Sequence, residues 1–75
     1  MSQERVEVPI TGKIVSVDVK VGDAVAEGDV ICYIESMKME NPILAPVAGV
    51  IKGIDVSVGQ VVETGSLIAV IEYDG

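Results

Sequence analysis

The chain is one unit written twice. A shift of 37 residues lays 9–35 on 46–72 without a gap, with 12 identities in 27 positions. Pro9 meets Pro46, Gly12 meets Gly49, Ile14 meets Ile51, and Asp18-Val19 meets Asp55-Val56. Val21-Gly22 falls on Val58-Gly59, Val25 on Val62 and Gly28 on Gly65. Ile31, Ile34 and Glu35 fall on Ile68, Ile71 and Glu72. One such unit is too short to cover its own apolar face, whereas two related by a pseudo-twofold can cover each other.

The units read as strands. Fifteen valines and nine isoleucines stand among eight glycines, a composition that fits pleated, half-buried surface. Val15, Val17, Val19 and Val21 alternate with Ser16, Asp18 and Lys20, and Ile54, Val56 and Val58 alternate with Asp55 and Ser57. That period of two predicts half-buried strands there, and no stretch carries a helical stripe. Each half then reads as strand, turn at Gly22-Asp23 or Gly59-Gln60, short strand, turn at Gly28 or Gly65, and strand. The expected fold is all-β: a flattened β-barrel or sandwich of two antiparallel sheets with an internal pseudo-twofold duplication. Residues 1–75 are expected to form a single domain, with repeat halves of approximately 6–37 and 43–74.

Size and charge exclude several classes of function. Seventy-five residues bury only about 60% of their unfolded surface, which leaves no scaffold for a deep catalytic cleft. Histidine is absent, and with it the commonest general base and neutral-pH metal ligand. No nucleophile stands beside a base, so no catalytic residue and no metal site is expected. A net charge of −7, with Arg5, Lys13, Lys20, Lys38 and Lys52 scattered, argues against nucleic acid and for a soluble monomer. No apolar run reaches the length of a membrane span, and Met1-Ser2-Gln3-Glu4-Arg5 is no signal peptide. The single Cys32 cannot form an internal disulfide, and a cytoplasmic location is expected. Cys32 matches Ala69 in the repeat and Tyr33 matches Val70, which marks both as structural.

Between the halves lies Ser36-Met37-Lys38-Met39-Glu40-Asn41-Pro42. With strands over Val30–Ile34 and Ile43–Ala45, a tight turn falls near Lys38. Tight hairpins favour Asn-Gly, Asp-Gly or a glycine pair, and this one presents Met-Lys-Met. Exposed thioethers gain nothing from water, but their flexibility suits a surface that several partners grip. Lys38 at the tip is a reachable amine on a flexible stem.

The run Glu35-Ser36-Met37-Lys38-Met39-Glu40 resembles the attachment motif of biotin carboxyl carrier domains, most often seen as Ala-Met-Lys-Met. The resemblance extends over 6–72 and includes Pro9, Gly12, Gly22, Gly28, Ala45-Pro46 and Gly49. It implies a barrel-sandwich hybrid that carries biotin in amide linkage to Lys38, with Met37 and Met39 as flanking recognition residues. It further implies a carrier in a multi-component biotin-dependent carboxylase or decarboxylase, moving carboxylated biotin between two active sites. The implied partners are a biotin protein ligase, a biotin carboxylase and a carboxyltransferase. Ser36 replaces the usual alanine with another small residue. The ungapped repeat leaves no insertion after Val17, where many bacterial acetyl-CoA carboxylase carriers have a protruding thumb. The thumbless pattern is more similar to carriers of propionyl-CoA, methylcrotonyl-CoA or pyruvate carboxylases, or of sodium-pumping decarboxylases. A lipoyl carrier shares the midpoint lysine but usually lacks methionine on both sides. An unmodified interaction module would have no reason to keep Met-Lys-Met.

Overall fold

The structure, a computed structural model, describes residues 1–75. It contains eight strands and no helix: β1 (Ser2–Glu7), β2 (Gly12–Val17), β3 (Ala24–Val25), β4 (Val30–Ser36), β5 (Met39–Leu44), β6 (Gly49–Ile54), β7 (Val61–Val62) and β8 (Leu67–Tyr73). They form two four-stranded antiparallel sheets, ordered β1-β8-β6-β3 and β5-β4-β2-β7. Adding 37 to the residue numbers of β1–β4 gives the ranges of β5–β8, and the same operation exchanges the two sheets.

Fifteen buried side chains, all apolar, fill the space between the sheets. The repeat supplies them in pairs: Ile14 with Ile51, Ile31 with Ile68 and Ile34 with Ile71 are each 0–1% exposed. Gly12 and Gly49 are paired for a steric reason. A Cβ on Gly12 would fall on the Glu35 carbonyl oxygen and lie 2.7 Å from Ile34 Cγ2, and one on Gly49 would meet Glu72 and Ile71 in the same way. Gly22 and Gly59 serve the backbone instead, with φ of 96° and 90° in turns that open on solvent.

Two expectations from the valine alternation need correction. β2 and β6 start earlier than predicted and end at Val17 and Ile54, and the fully buried core residues they carry are Ile14 and Ile51. Register shifts between Ile14 and Ser16, and between Ile51 and Gly53, change which residues face inward. Val21 and Val58, expected on half-buried strands, are 61% and 65% exposed. They sit within the turns at which the chain has left the sheet to cross over, closed in one copy by Asp23 Oδ2 accepting from Lys20 N and in the other by Gln60 Oε1 accepting from Ser57 N. The polar start also folds: Ser2–Glu7 pairs with β8 as an edge strand, and matches β5 in the other copy.

The path of β1 sets the two ends of the molecule apart. Ser2 opposes Tyr73, and at the other end of β1 the Val8 N–H donates to the Ser66 carbonyl. The chain crosses sheets at Pro9–Thr11 and enters β2, where Lys13 opposes Glu35. Residues 36–39 therefore lie at one end of a body 37 Å long, and Ser2 and Tyr73 lie at the other.

Candidate functional site

β4 and β5 pair from Ser36↔Met39 through Glu35↔Glu40, Ile34↔Asn41 and Tyr33↔Pro42. The strands extend closer to the midpoint than Val30–Ile34 and Ile43–Ala45, so only Met37 and Lys38 remain for the turn. Both are left-handed, Met37 at φ 53° and Lys38 at φ 64°, and they are the only non-glycine residues with positive φ. Positive φ at both central residues defines the type I′ hairpin that Asn-Gly favours. Placing an ordinary side chain in the left-handed region costs about 1–2 kcal/mol per residue. Two unbranched side chains are held here against that preference, which is the pattern of strain kept at functional sites.

The turn leaves its side chains in solvent. Met37 is 89% exposed, Lys38 is exposed, and Met39 is 66% exposed. None of the three side chains belongs to the core, so the methionines are not inward-folded fillers. Lys38 makes no salt bridge, whereas Lys52 pairs with Glu72 at 3.5 Å and Arg5 with Glu7 at 3.3 Å. The acceptors nearest in register are Glu35 and Glu40, two exposed carboxylates opposite one another below the turn. Like charges facing across a strand pair work against the hairpin.

One residue of the site is not legible from the attachment motif. The Asn41 Nδ2 amide donates to the Ile34 carbonyl and to the Met39 carbonyl, both at 3.3 Å, and so ties β4 to the first residue of β5. The repeat shift itself contains the signal, because it sets Asn41 against Glu4, which has no amide to donate. Away from the hairpin, a hollow of about 340 Å³ is lined by Val17, Asp18, Val19, Lys20 and Asp23. It has no cluster of metal-ligating groups. Cys32 is fully buried, and burial, with a smaller contribution from Asp18, pushes its thiol up from 9.0 to about 11. A thiol in that state is a packing group.

Residues 4–71 match the family described as "Biotin-requiring enzyme", which joins biotin and lipoyl domains. The chain belongs to that family. Among curated relatives, the carrier domain is 60% identical over 37 residues to the mitochondrial propionyl-CoA carboxylase alpha chain of Homo sapiens, covering 49% of this chain and 5% of that one. It is 54% identical over 39 residues to the gamma subunit of glutaconyl-CoA decarboxylase from Acidaminococcus fermentans, covering 52% and 27%. Among solved structures, the urea carboxylase of Kluyveromyces lactis superposes with a TM-score of 0.89 at 35% identity, over 96% of this chain and 6% of that one. The chain thus spans between about a twentieth and about a quarter of these relatives. It is a biotin carrier domain, homologous to segments of carboxylase alpha chains and decarboxylase gamma subunits. No helix is long and apolar enough to cross a membrane.

Proposed function

We propose that Lys38 is the residue that carries biotin, and that the domain serves as a mobile carrier between the two active sites of a biotin-dependent carboxylase or decarboxylase. The observation that supports this most is the strained type I′ turn, which sets the Lys38 amine at the far tip of the molecule with nothing paired to it. A biotin protein ligase supplies the acyl group as an adenylate. Lys38 Nζ, having lost a proton, attacks the acyl carbon, the carbon–oxygen bond to the phosphate breaks, and AMP leaves. The product is an amide, so the side chain loses its charge and becomes the base of a long tether. Met37 and Met39 flank the amine with flexible apolar contacts for the ligase and for the later active sites. Glu40, beside them, contributes to ligase docking.

Bound in this way, biotin supplies a ring that accepts and releases a carboxyl group. The domain itself supplies reach and orientation, with no catalytic group of its own. Tethering raises the local concentration of the ring at a biotin carboxylase and at a carboxyltransferase, provided the linker spans both. Ser2 and Tyr73 lie at the end opposite Lys38, so the open end of the β1–β8 pair is turned away from a partner that engages the hairpin. Residues 1–75 act as one such domain in this reading, without a thumb between β2 and β3. The unpaired, buried Cys32 suits a reducing compartment and supports a cytoplasmic location.

Co-expression with a biotin protein ligase tests the assignment. Intact mass is expected to show one biotinyl group on the wild-type chain and none on Lys38→Arg, with both proteins melting at the same temperature. A biotinylated Lys38→Arg protein would place the site elsewhere, and a lipoyl mass on the chain from its native host would replace biotin by the other ligand of the family.

A further inference from the structure

From the hydrogen bonds of the hairpin we infer that Asn41 is a positioning residue for modification of Lys38: its side-chain amide holds the left-handed Met37-Lys38 turn in the shape that a ligase must bind. The inference rests on the reading of Lys38 as the attachment site. Asn41 Nδ2 spans the two strands, donating to the Ile34 carbonyl in β4 and to the Met39 carbonyl at the start of β5. Ser36 and Met39 are the last register pair before the turn, so the Met39 bond acts on the residue that closes the loop. The amide is half-buried against the end of the core, whereas the turn it braces is exposed. Both acceptors are carbonyl oxygens, so only the donor side of the amide can satisfy them.

The turn needs this support because its own residues disfavour it. Neither Met37 nor Lys38 prefers positive φ, and no side chain of the turn itself bonds back to the backbone. A hairpin closed by Asn-Gly would hold its shape without help. At the equivalent place in the other copy, Glu4 faces Ile71 and cannot make the same bonds, because a carboxylate has no proton to donate. The amide therefore appears in the copy that bears the amine and not in the one that lacks it. A ligase that binds only the closed turn meets a fraction of the chains once the brace is gone, which weakens apparent affinity by that fraction and leaves the bound rate alone. Two neutral hydrogen bonds at ordinary net strength shift the ratio of closed to open turns by about thirtyfold, which is the upper bound on the loss of apparent affinity.

The test compares wild type with Asn41→Ala and Asn41→Asp, the second keeping the size and removing the donors. Each chain is titrated with purified biotin protein ligase, biotin and magnesium ATP, and amide hydrogen exchange is followed in parallel. Both variants are expected to raise KM severalfold, and by no more than about thirtyfold, and to leave kcat within twofold. The amide of Met39, paired with Ser36, should exchange faster by up to about thirtyfold, while those of Ile68–Ile71 in β8 keep their wild-type rates. Wild-type KM in Asn41→Ala would overturn the inference. So would wild-type KM in Asn41→Asp alone, a loss confined to kcat, or faster exchange in β8 to the same degree. If wild-type Lys38 takes no biotin, the attachment reading fails by itself, and unchanged hairpin exchange in the variants would separately overturn the brace.

Discussion

At one end of the sandwich β4 and β5 are joined by Met37-Lys38; at the other, β8 and β1 stand in the same register, Tyr73 opposite Ser2, and are not joined. The shift of 37 that superposes the copies lays Met37-Lys38 on Asp74-Gly75. Asp-Gly is a pair that type I′ turns favour, and Met-Lys is not. Along the body between the ends the copies agree: the isoleucine pairs are equally buried, and Gly12 and Gly49 meet the same obstruction. Agreement marks what folding requires of both copies. Met37, Lys38, Met39 and Asn41 depart from Asp74, Gly75, Ser2 and Glu4, and that departure marks what is required of one.

The largest effects are expected where the copies agree. Ile34→Ala and Ile71→Ala each empty a fully buried site and should cost about 2–5 kcal/mol, a large part of the stability of a domain this size. Denaturant unfolding of the two variants should give losses within about 1 kcal/mol of each other. A much smaller loss for Ile34→Ala would show that the half bearing Lys38 is held differently, and the equivalence of the copies would be lost. The function of the hairpin would survive that result, but the use of one copy as the control for the other would not.

Cys32 offers a sharper comparison, because its counterpart is Ala69 and both are fully buried. Burial, and then Asp18, raise the Cys32 thiol from 9.0 to about 11. Well below pH 9 the thiol is neutral in the folded and the unfolded chain, and its contribution does not vary. Above pH 9 the unfolded chain ionises first, so stability falls as pH rises toward 11, by at most about 3 kcal/mol. Urea unfolding from pH 8 to 11 should therefore steepen for wild type relative to Cys32→Ala. Parallel curves would mean that the thiol is open to water, and that Cys32 does not share the environment of Ala69.

The repeat makes most of the fold legible in the sequence. It located the turns at Gly22, Gly28, Gly59 and Gly65, the small residue at 32, and a hairpin around Lys38. Valine periodicity misled where a register shift intervened: Ile14 and Ser16 are not on one regular pleat, so counting in twos from Val15 carried the strand to Val21, past its end at Val17. Ser2–Glu7 was missed because an edge strand with one buried residue, Val6, shows little apolar pattern. At the site, residue type and spacing mark Lys38 and its methionines as candidates, and the structure sets all three exposed on the hairpin. Residue type and spacing did not convey the left-handed backbone at positions 37 and 38, since nothing in Met-Lys predicts it. Nor did they single out Asn41, whose role depends on carbonyls from two strands arriving within reach of one amide.

The smallest expected effect is a gain, and it bears most directly on the two ends. Replacing Met37 with Asn and Lys38 with Gly gives the turn the pair that its φ values of 53° and 64° call for. Two side chains then cease to resist the left-handed region, while the greater freedom of glycine in the unfolded chain offsets part of the benefit. The net gain should be about 1 kcal/mol, which for a domain of this size raises Tm by about 4–8 °C. The double variant has no amine at the tip and should accept no biotin. Met37→Asn alone keeps the amine, so it should gain about half as much and still be modified at Lys38, more slowly if Met37 contacts the ligase. Calorimetry beside a labelling assay reads both quantities on the same samples. If the double variant melts at or below the wild-type temperature, Met37 and Lys38 are not strained, and their divergence from Asp74-Gly75 costs the fold nothing. If it melts higher and loses the label, the hairpin gives up stability to hold an amine where a partner can reach it.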